Sequence, residues 1–437
     1  MLLNYAREKI GFFSNLVQDF IMTIHSEFLI QAQERGFLYQ STDLSGLDDL
    51  MKKQPITAYL GFDATADSLH VGSLVQIMWL RLLQRTGHKP LVLMGGGTSK
   101  IGDPTGKDSA RQVLSEQDIA NNIKGIGKIF SRFLNFGEGQ SDAMMLNNAD
   151  WLESLNYIDF LRDFGSHFSV NRLLSFDSVK LRLEREQNLS FLEFNYMILQ
   201  SYDFLELNRR YGCVLELGGS DQWGNIVSGV DLVRKISGKH VYGLTSPLVI
   251  TAGGQKMGKT ASGAVWLNPE RLSVYDYWQF WRNTHDQDVG KYLRLFTDLP
   301  IDEIKRLEEL KDQEINEAKK ILADEATTLA HGRECLDEIH QTVAKFFNAE
   351  GTAKAELQML DYSRQELSQG IPVVDLLCRI GFATSKGEAR RLIKGGGARL
   401  NDTVITDEEL TIKEIGTVIK LSAGKKRHIE IKLKPAE

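Results

Sequence analysis

Two short segments, far apart in this 437-residue chain, carry groups suited to handling a polyphosphate. His70, Val71, Gly72 and Ser73 follow an apolar run at 56–62 and a polar turn, and open a stretch of helical apolar period reaching about residue 85. A helix N-terminus offers unpaired N–H groups and positive potential, and Gly72 lets a ligand approach the backbone closely. The second segment, Lys256, Met257, Gly258, Lys259 and Thr260, is a Gly-flanked loop with two ammonium groups and a hydroxyl. A third group lies between them. Tyr196, Gln200 and Asp203 fall at i, i+4 and i+7 of a segment expected to be helical over 191–208, so all three project from one face. Such a trio makes a poor core stripe, because buried polar groups need partners. It would serve well as an amino-acid pocket.

Residues 253–260 also match the phosphate-loop pattern G-x-x-x-x-G-K-[ST]. That pattern requires a strand before it and a helix after it. Residues 246–251 can supply the strand, but Gly263, Val265 and Pro269 stand where the helix should begin and continue, so the match is read as coincidence.

The elements that must position these groups follow a regular rhythm. Apolar strand candidates at 56–62, 89–94, 143–146, 213–217 and 247–251 alternate with helical stretches, which predicts a parallel sheet covered by helices on both faces. Ligands collect at the carboxyl ends of such strands, where the polar Gly-rich segments 95–107 and 217–225 lie. The expected organisation is an arm at 1–25, a Rossmann-like α/β nucleotide-binding catalytic domain at 26–272, a charged helical domain at 273–350, a polar linker at 351–371 and a small α+β domain at 372–437.

The last of these has its own charge. It holds 13 Lys or Arg against 9 Asp or Glu, a net +4, which leaves −10 for the remainder of a chain of net charge −6. A helix opened by Ser385 places Lys386, Arg390, Arg391 and Lys394 near one side, before Gly395 to Gly397 break it and a strand carrying Arg399 begins. Local positive charge on an acidic protein points to an RNA-binding appendage. No global basic field exists, so any nucleic-acid surface must be local.

With 42 % apolar residues and no apolar run of membrane-spanning length, the chain reads as globular and free of a membrane span. Cys213, Cys335 and Cys378 have no paired spacing, which argues against a disulfide framework or zinc site and fits a reducing, cytoplasmic setting. The first 21 residues resemble neither a signal peptide nor a transit sequence, and Met22 is a candidate alternative start.

The segments at 70–73 and 256–260 resemble the HIGH and KMSKS signatures of class I aminoacyl-tRNA synthetases. With the helical trio, residues 25–435 resemble the bacterial-type tyrosyl-tRNA synthetases, and the tail resembles the S4 RNA-binding domain. The resemblance implies a homodimer that joins L-tyrosine to tRNA(Tyr) through a tyrosyl-adenylate, with ATP as substrate and a magnesium ion accompanying it. No protein ligand set for a metal is visible in the sequence. By the same resemblance Tyr59 and Asp203 would read the substrate phenol, while Asp103, Tyr196 and Gln200 would hold its α-ammonium. Gln222 and Asn148 would lie on the substrate side. Thr65, His70, Lys107, Arg111, Lys256, Lys259 and Thr260 would face the phosphates. Gly61, Asp63, Gly72, Ser73, Gly219, Asp221, Met257 and Gly258 would border the nucleotide, and Lys386, Arg390, Arg391, Lys394 and Arg399 would meet RNA. Ser73 stands where the signature has its last histidine, so a shorter hydroxyl replaces an imidazole. An RNA-binding or splicing factor that had lost aminoacylation is the rival reading, and the intact His70, Asp103, Asp203, Lys256 and Lys259 argue against it.

Overall fold

The computed structural model describes residues 24–103, 114–260, 263–351, 358–362, 370–383, 385–401, 403–412, 418–424 and 427–435. Two compact units divide the chain, one reaching Leu336 and one beginning at Asp337.

The first unit is built on a six-stranded sheet. Its strands are β1 (Gln40–Ser41), β2 (Thr57–Phe62), β3 (Lys89–Met94), β4 (Met144–Asn147), β5 (Cys213–Gly219) and β6 (Tyr242–Ser246), in spatial order β1-β6-β5-β2-β3-β4. All neighbours are parallel except β1, which pairs antiparallel with β6 at the edge. Pro90 to Met94 are buried without alternation, as expected of a strand covered on both faces.

Four of the five anticipated strands form within a few residues of their expected positions. The fifth does not. The ladder uses Tyr242–Ser246, whose five residues are all buried, whereas 247–251 runs on as a loop with half-exposed Ile250 and a single bridge from Ile250 to Lys256. Gly243, Thr245 and Ser246 interrupt the apolar run that would have marked the true strand. Pro247 cannot donate to a ladder, so pairing stops there.

The Phe191–Tyr211 helix carries the predicted trio. Ser190 and Glu193 form a capping box at its start, and Gly212 ends it in the left-handed region at φ 63°. Its apolar side packs through Met197, Phe204 and Leu207 into the core shared with Tyr59 and Leu91. The Leu74–Arg85 helix, with eight of its twelve residues buried, packs on β3.

Helices Val274–Arg282, Asp286–Phe296, Ile301–Glu308 and Ile315–His331 follow, as the charged pattern predicts. They do not stand apart as a domain. Asp286–Phe296 packs on both Glu27–Arg35 and Leu74–Arg85. The buried Arg35 guanidinium donates to the carbonyls of Arg294, Thr297 and Leu299.

In the second unit, helices Val373–Arg379 and Lys386–Lys394 pack with a sheet whose strands, in spatial order, are Thr403–Val404, Ala398–Leu400, Val418–Ala423, Arg427–Pro435 and Gln358–Tyr362. Leu376, Leu377, Ile393, Ile419, Leu421 and Ile431 are among its core side chains. The stretch read as a linker therefore contributes a strand, since Gln358–Tyr362 pairs parallel with Arg427–Pro435. Gly381, just beyond the first of these helices, has φ 76°, and Ser385 accepts a bond from the Glu388 N–H as the capping pattern requires.

Candidate active site

A cavity of about 350 Å³ opens at the carboxyl ends of β2, β3 and β5. Of the residues singled out from the sequence, Tyr59, Gly61, Asp63, Thr65, His70, Ser73, Asp103, Asn148, Tyr196, Gln200, Asp203, Gly219, Asp221 and Gln222 all line it.

Asp203, 2 % exposed, is fixed from two directions: Trp151 Nε1 donates to Oδ1 at 2.7 Å and Asn148 Nδ2 to Oδ2 at 3.0 Å. Asn148 is itself held. Its Oδ1 accepts from the Gly97 N–H, and its amide also donates to Thr98 Oγ1. Thr98 in turn donates to Asp63 Oδ1 at 2.9 Å, and the Tyr196 hydroxyl donates to Asp63 Oδ2 at 3.2 Å. Burial pushes the Asp203 carboxyl up to about 8, against the pull of its two donors, with Glu216 and Asp63 adding repulsion.

A second chain of bonds runs along the other wall. Gln200 Nε2 donates to Glu216 Oε1 at 2.9 Å. The Asn225 amide donates to both Gln200 Oε1 and Gln222 Oε1, and Gln222 Nε2 donates to Asp103 Oδ2 at 2.8 Å. These bonds fix which end of each amide is which: Gln200 turns its Nε2 to Glu216 and its carbonyl to Asn225. Tyr59, 2 % exposed, sits beside Glu216 and Asp203, and burial raises its hydroxyl well above the ordinary range. Burial likewise pushes Glu216 up to about 7. The described wall is thus rich in acceptors, which suits a ligand carrying an ammonium group and a hydroxyl donor.

The two polyphosphate-type segments meet. The Val71 N–H donates to Val265 O, the Val265 N–H to Gly258 O, and His70 bridges Trp266. Gly258 has φ +103°, and a Cβ there would lie 2.7 Å from His70 Nδ1. A Cβ on Gly72 would lie 2.7 Å from Met257 O. The role anticipated for Gly72 changes accordingly: it admits the other loop's backbone. The N–H groups at this terminus are also already engaged, that of Gly72 by His70 Nδ1 at 3.0 Å and that of Ser73 by His70 O, in a 3₁₀ turn, Val71–Ser73, preceding the α-helix. Because His70 Nδ1 accepts, a neutral ring carries its proton on Nε2.

Met257 and Gly258 are buried, and Lys256 is exposed. The Lys256 charge reaches Asp221, whose carboxyl burial raises and Lys256 lowers. No helix follows the loop: Lys259–Thr260 pairs antiparallel with Gly263–Ala264, which removes the phosphate-loop alternative. The side chains of Lys259 and Thr260 lie outside the described residues, as do Lys107 and Arg111.

In the second unit Lys386, Arg390, Arg391, Lys394 and Arg399 are all exposed, and Ala389 and Ile393 form the buried side of their helix. Lys386 pairs with Asp375 at 2.6 Å and Lys394 with Glu408 at 3.3 Å.

Several residues of the cavity network escaped the sequence reading. Trp151 follows Asn148 by three positions at the start of a short helix, and Asn225 follows Gln222 by three, so helical spacing could have found both. Glu216 had no such signal. It enters only because β5 places it opposite Tyr59 of β2.

A nucleotide-type parallel sheet with these two loops packed at its carboxyl edge defines a class I synthetase catalytic domain. Residues 51–348 match the family described as tRNA synthetases class I (W and Y), and residues 371–419 match the S4 domain. The chain belongs to that class I family. It is 60 % identical over 413 residues to a tyrosine–tRNA ligase of Rhodospirillum rubrum, covering 94 % of this chain and 99 % of that protein. A tyrosine–tRNA ligase of Zymomonas mobilis is 59 % identical over 403 residues, covering 92 % and 97 % respectively. Among solved structures, a C-terminally truncated mitochondrial tyrosyl-tRNA synthetase of Aspergillus nidulans aligns with TM-score 0.66 at 29 % identity, over 78 % of this chain and 100 % of that one.

Proposed function

We propose that this chain is a tyrosine–tRNA ligase, which activates L-tyrosine with ATP and passes the tyrosyl group to the 3′ end of tRNA(Tyr). The observation that carries the reading is the buried carboxylate of Asp203, fixed by Trp151 and Asn148, beside the buried hydroxyl of Tyr59. A phenol has one proton to give and a lone pair to accept with, and this pair supplies one acceptor and one donor. An indole lacks a hydroxyl at that position, which separates the tyrosine reading from the tryptophan one within the family. Tyrosine-dependent exchange of pyrophosphate into ATP, run beside phenylalanine and tryptophan, tests it. Exchange supported equally by tryptophan would overturn it.

In the first step a carboxylate oxygen of tyrosine attacks the α-phosphorus of ATP in line, and the bond to the bridging oxygen of the pyrophosphate breaks. In the second a terminal ribose hydroxyl of the tRNA attacks the tyrosyl carbonyl and AMP leaves. No side-chain nucleophile is needed; positioning and charge stabilisation supply the rate. Asp103, Tyr196 and Gln200 receive the ammonium, with Gln222 steadying Asp103. Asp221 and Gly219 border the ribose. His70 Nε2–H, Thr65 and the lysines of the 256–260 loop face the phosphates, with Lys107 and Arg111 assigned there from the sequence. Among the described residues no three His, Cys, Asp or Glu side chains converge to hold a metal, so a magnesium ion would arrive on the ATP phosphates.

Lys259→Ala is expected to slow adenylate formation by about a hundredfold or more, because charge develops on the leaving pyrophosphate. Equilibrium binding of tyrosine should change little. An equal loss of tyrosine affinity would make the loop's role structural.

The homodimer belongs to the same reading. Ile158 and Phe191 are each 68 % exposed, and Tyr157, Leu161, Val170, Leu174 and Leu192 add further exposed apolar area between them or close by in sequence. Ile158→Asp with Phe191→Asp should shift the sedimentation coefficient from dimer to monomer. Unchanged sedimentation would place the interface elsewhere. Among the described residues no helix is long and apolar enough to cross a membrane, and the three cysteines are unpaired, in keeping with a cytoplasmic place of action.

A further inference from the structure

Glu216 lies behind the wall of the phenol pocket, against Tyr59, with no role in the reaction steps above. It is 1 % exposed, and on β5 it stands in register with Tyr59 of β2. Its Oε1 accepts from Gln200 Nε2. Its Oε2 and the Tyr59 hydroxyl are both fully buried; they lie close enough for each to shift the other's proton affinity, yet neither has a well-formed hydrogen bond. Two buried polar atoms with only each other as partners leave one question of polarity: which of them donates.

We propose that Glu216 is a positioning residue whose proton decides whether the Tyr59 hydroxyl donates toward the substrate phenol or back into the wall of the pocket. The inference rests on the tyrosine reading above. The Tyr59 hydroxyl has a single proton. Beside an ionised Glu216, which can only accept, that proton is drawn to Oε2, and the phenol meets acceptors at both Tyr59 and Asp203 with one proton to offer. Beside a protonated Glu216, the Oε2–H donates to Tyr59, Tyr59 donates to the phenol oxygen, and the phenol donates to Asp203. Every buried donor then has an acceptor.

The proton must sit on Glu216 and not on Asp203 for this to work. Before tyrosine binds, Asp203 is the higher of the two carboxyls, about 8 against about 7, and the phenol O–H, a third donor to Asp203, is what tips the proton to Glu216. Both oxygens of Asp203 already receive an N–H, from Trp151 and Asn148, which stabilises its charged form. Oε2 of Glu216 receives no N–H and has only the Tyr59 hydroxyl beside it. The titratable groups that reach Glu216 are Tyr59 from β2, Asp203 from the Phe191–Tyr211 helix and Cys213 on its own strand. The Trp223–Ser237 helix presents Gly229 to it, and β6 pairs Gly243 opposite it, so no cation faces it from either. Burial raises both carboxyls, the charge of Glu216 adds to the rise at Asp203, and two groups so coupled share their protons. Between about 7 and about 8 the pair carries one.

The sign follows. A raised carboxyl is neutral below its titration and charged above it, so the productive arrangement is present in that window and is lost as pH climbs past it. The test is the pH profile of tyrosine-dependent pyrophosphate exchange with ATP saturating. Wild type should show KM for tyrosine rising about tenfold per pH unit beyond the window, with kcat nearly flat. Glu216→Gln keeps an acceptor for Gln200 and gives Tyr59 a permanent N–H donor, so its KM at pH 9 should be about tenfold below wild type's, with the alkaline rise gone. Tyr59→Phe, which removes the hydroxyl that transmits the effect, should also lose the alkaline rise. Adding Glu216→Gln to it should change the profile no further. An alkaline rise that persists unchanged in Glu216→Gln or in Tyr59→Phe overturns the proposal. Should Glu216→Gln fail to fold, as read by its melting curve, the Tyr59→Phe profile decides alone. A wild type whose exchange does not depend on tyrosine would overturn the functional reading instead, a result distinct from either variant's profile.

Discussion

Replacing Asp203 with Asn is expected to lower kcat/KM for tyrosine by about tenfold to a hundredfold, the loss of one charge-assisted hydrogen bond of roughly 1.5–3 kcal/mol. Activation of phenylalanine should hold level or rise. The asymmetry comes from the shell around the carboxylate. In the native site both oxygens accept an N–H and remain able to accept from a phenol. An amide at 203 must turn its NH₂ toward either Asn148 Nδ2 or Trp151 Nε1, setting donor against donor, and it offers the phenol no charge. For phenylalanine the native carboxyl is a burden, because the substrate covers a group that must then stay protonated or remain as a buried charge, and gives it nothing in return. Asn removes that burden, so discrimination should fall by more than tyrosine activity does. Tyr59→Phe should act in the same direction by a smaller factor, about threefold to tenfold, since it removes a neutral donor. Steady-state exchange with each amino acid measures both. Variants that activate tyrosine normally and still reject phenylalanine would show that the pair does not read the phenol.

The sequence exposed what depends on local spacing. Tyr196, Gln200 and Asp203 were legible because helical periodicity alone brings i, i+4 and i+7 together, and the helix runs through all three. What depends on pairing across the sheet was hidden. Glu216 reaches the site through its register with Tyr59, and nothing near it in sequence announces that partner. Gly72 and Gly258 could each be recognised as loop glycines, but that the two loops pack on one another, and need both glycines to do so, is a fact of tertiary structure. The displaced fifth strand has a related cause. Apolar content marked 247–251, whereas the ladder chose Tyr242–Ser246, where burial on both faces tolerates Thr and Ser because the sheet satisfies their backbone. The helical segment was expected as its own domain, and its charge pattern carried no trace of the Arg35 contacts that join it to the rest of the first unit.

Ending the chain at Leu336, the last residue of the first compact unit, is expected to leave tyrosine-dependent pyrophosphate exchange largely intact while abolishing most tRNA charging. The cut belongs there and not at Gly370, because Gln358–Tyr362 is a strand of the tail's own sheet and would be left without its partner by a later cut. Every residue assigned to adenylation precedes Ala261, and the cavity that gathers the described ones lies wholly within the first unit. The tail carries the local positive excess that binding to phosphates requires, with Arg390, Arg391 and Arg399 exposed on it. Lys386 and Lys394 already pair with Asp375 and Glu408, so their charge is partly balanced. Arg390 and Arg391 should therefore account for more of the affinity than the lysines. Each neutralised phosphate releases counterions, so tRNA affinity of the full chain should fall with added salt, and removing one phosphate-binding cation should reduce the logarithmic slope by about one. Arg390→Ala with Arg391→Ala should thus flatten the slope more than Lys386→Ala with Lys394→Ala, measured as tRNA affinity across a salt series. Equal charging by the truncated and full chains, with equal salt dependence, would mean that the second unit folds as an S4 domain without serving as the tRNA anchor.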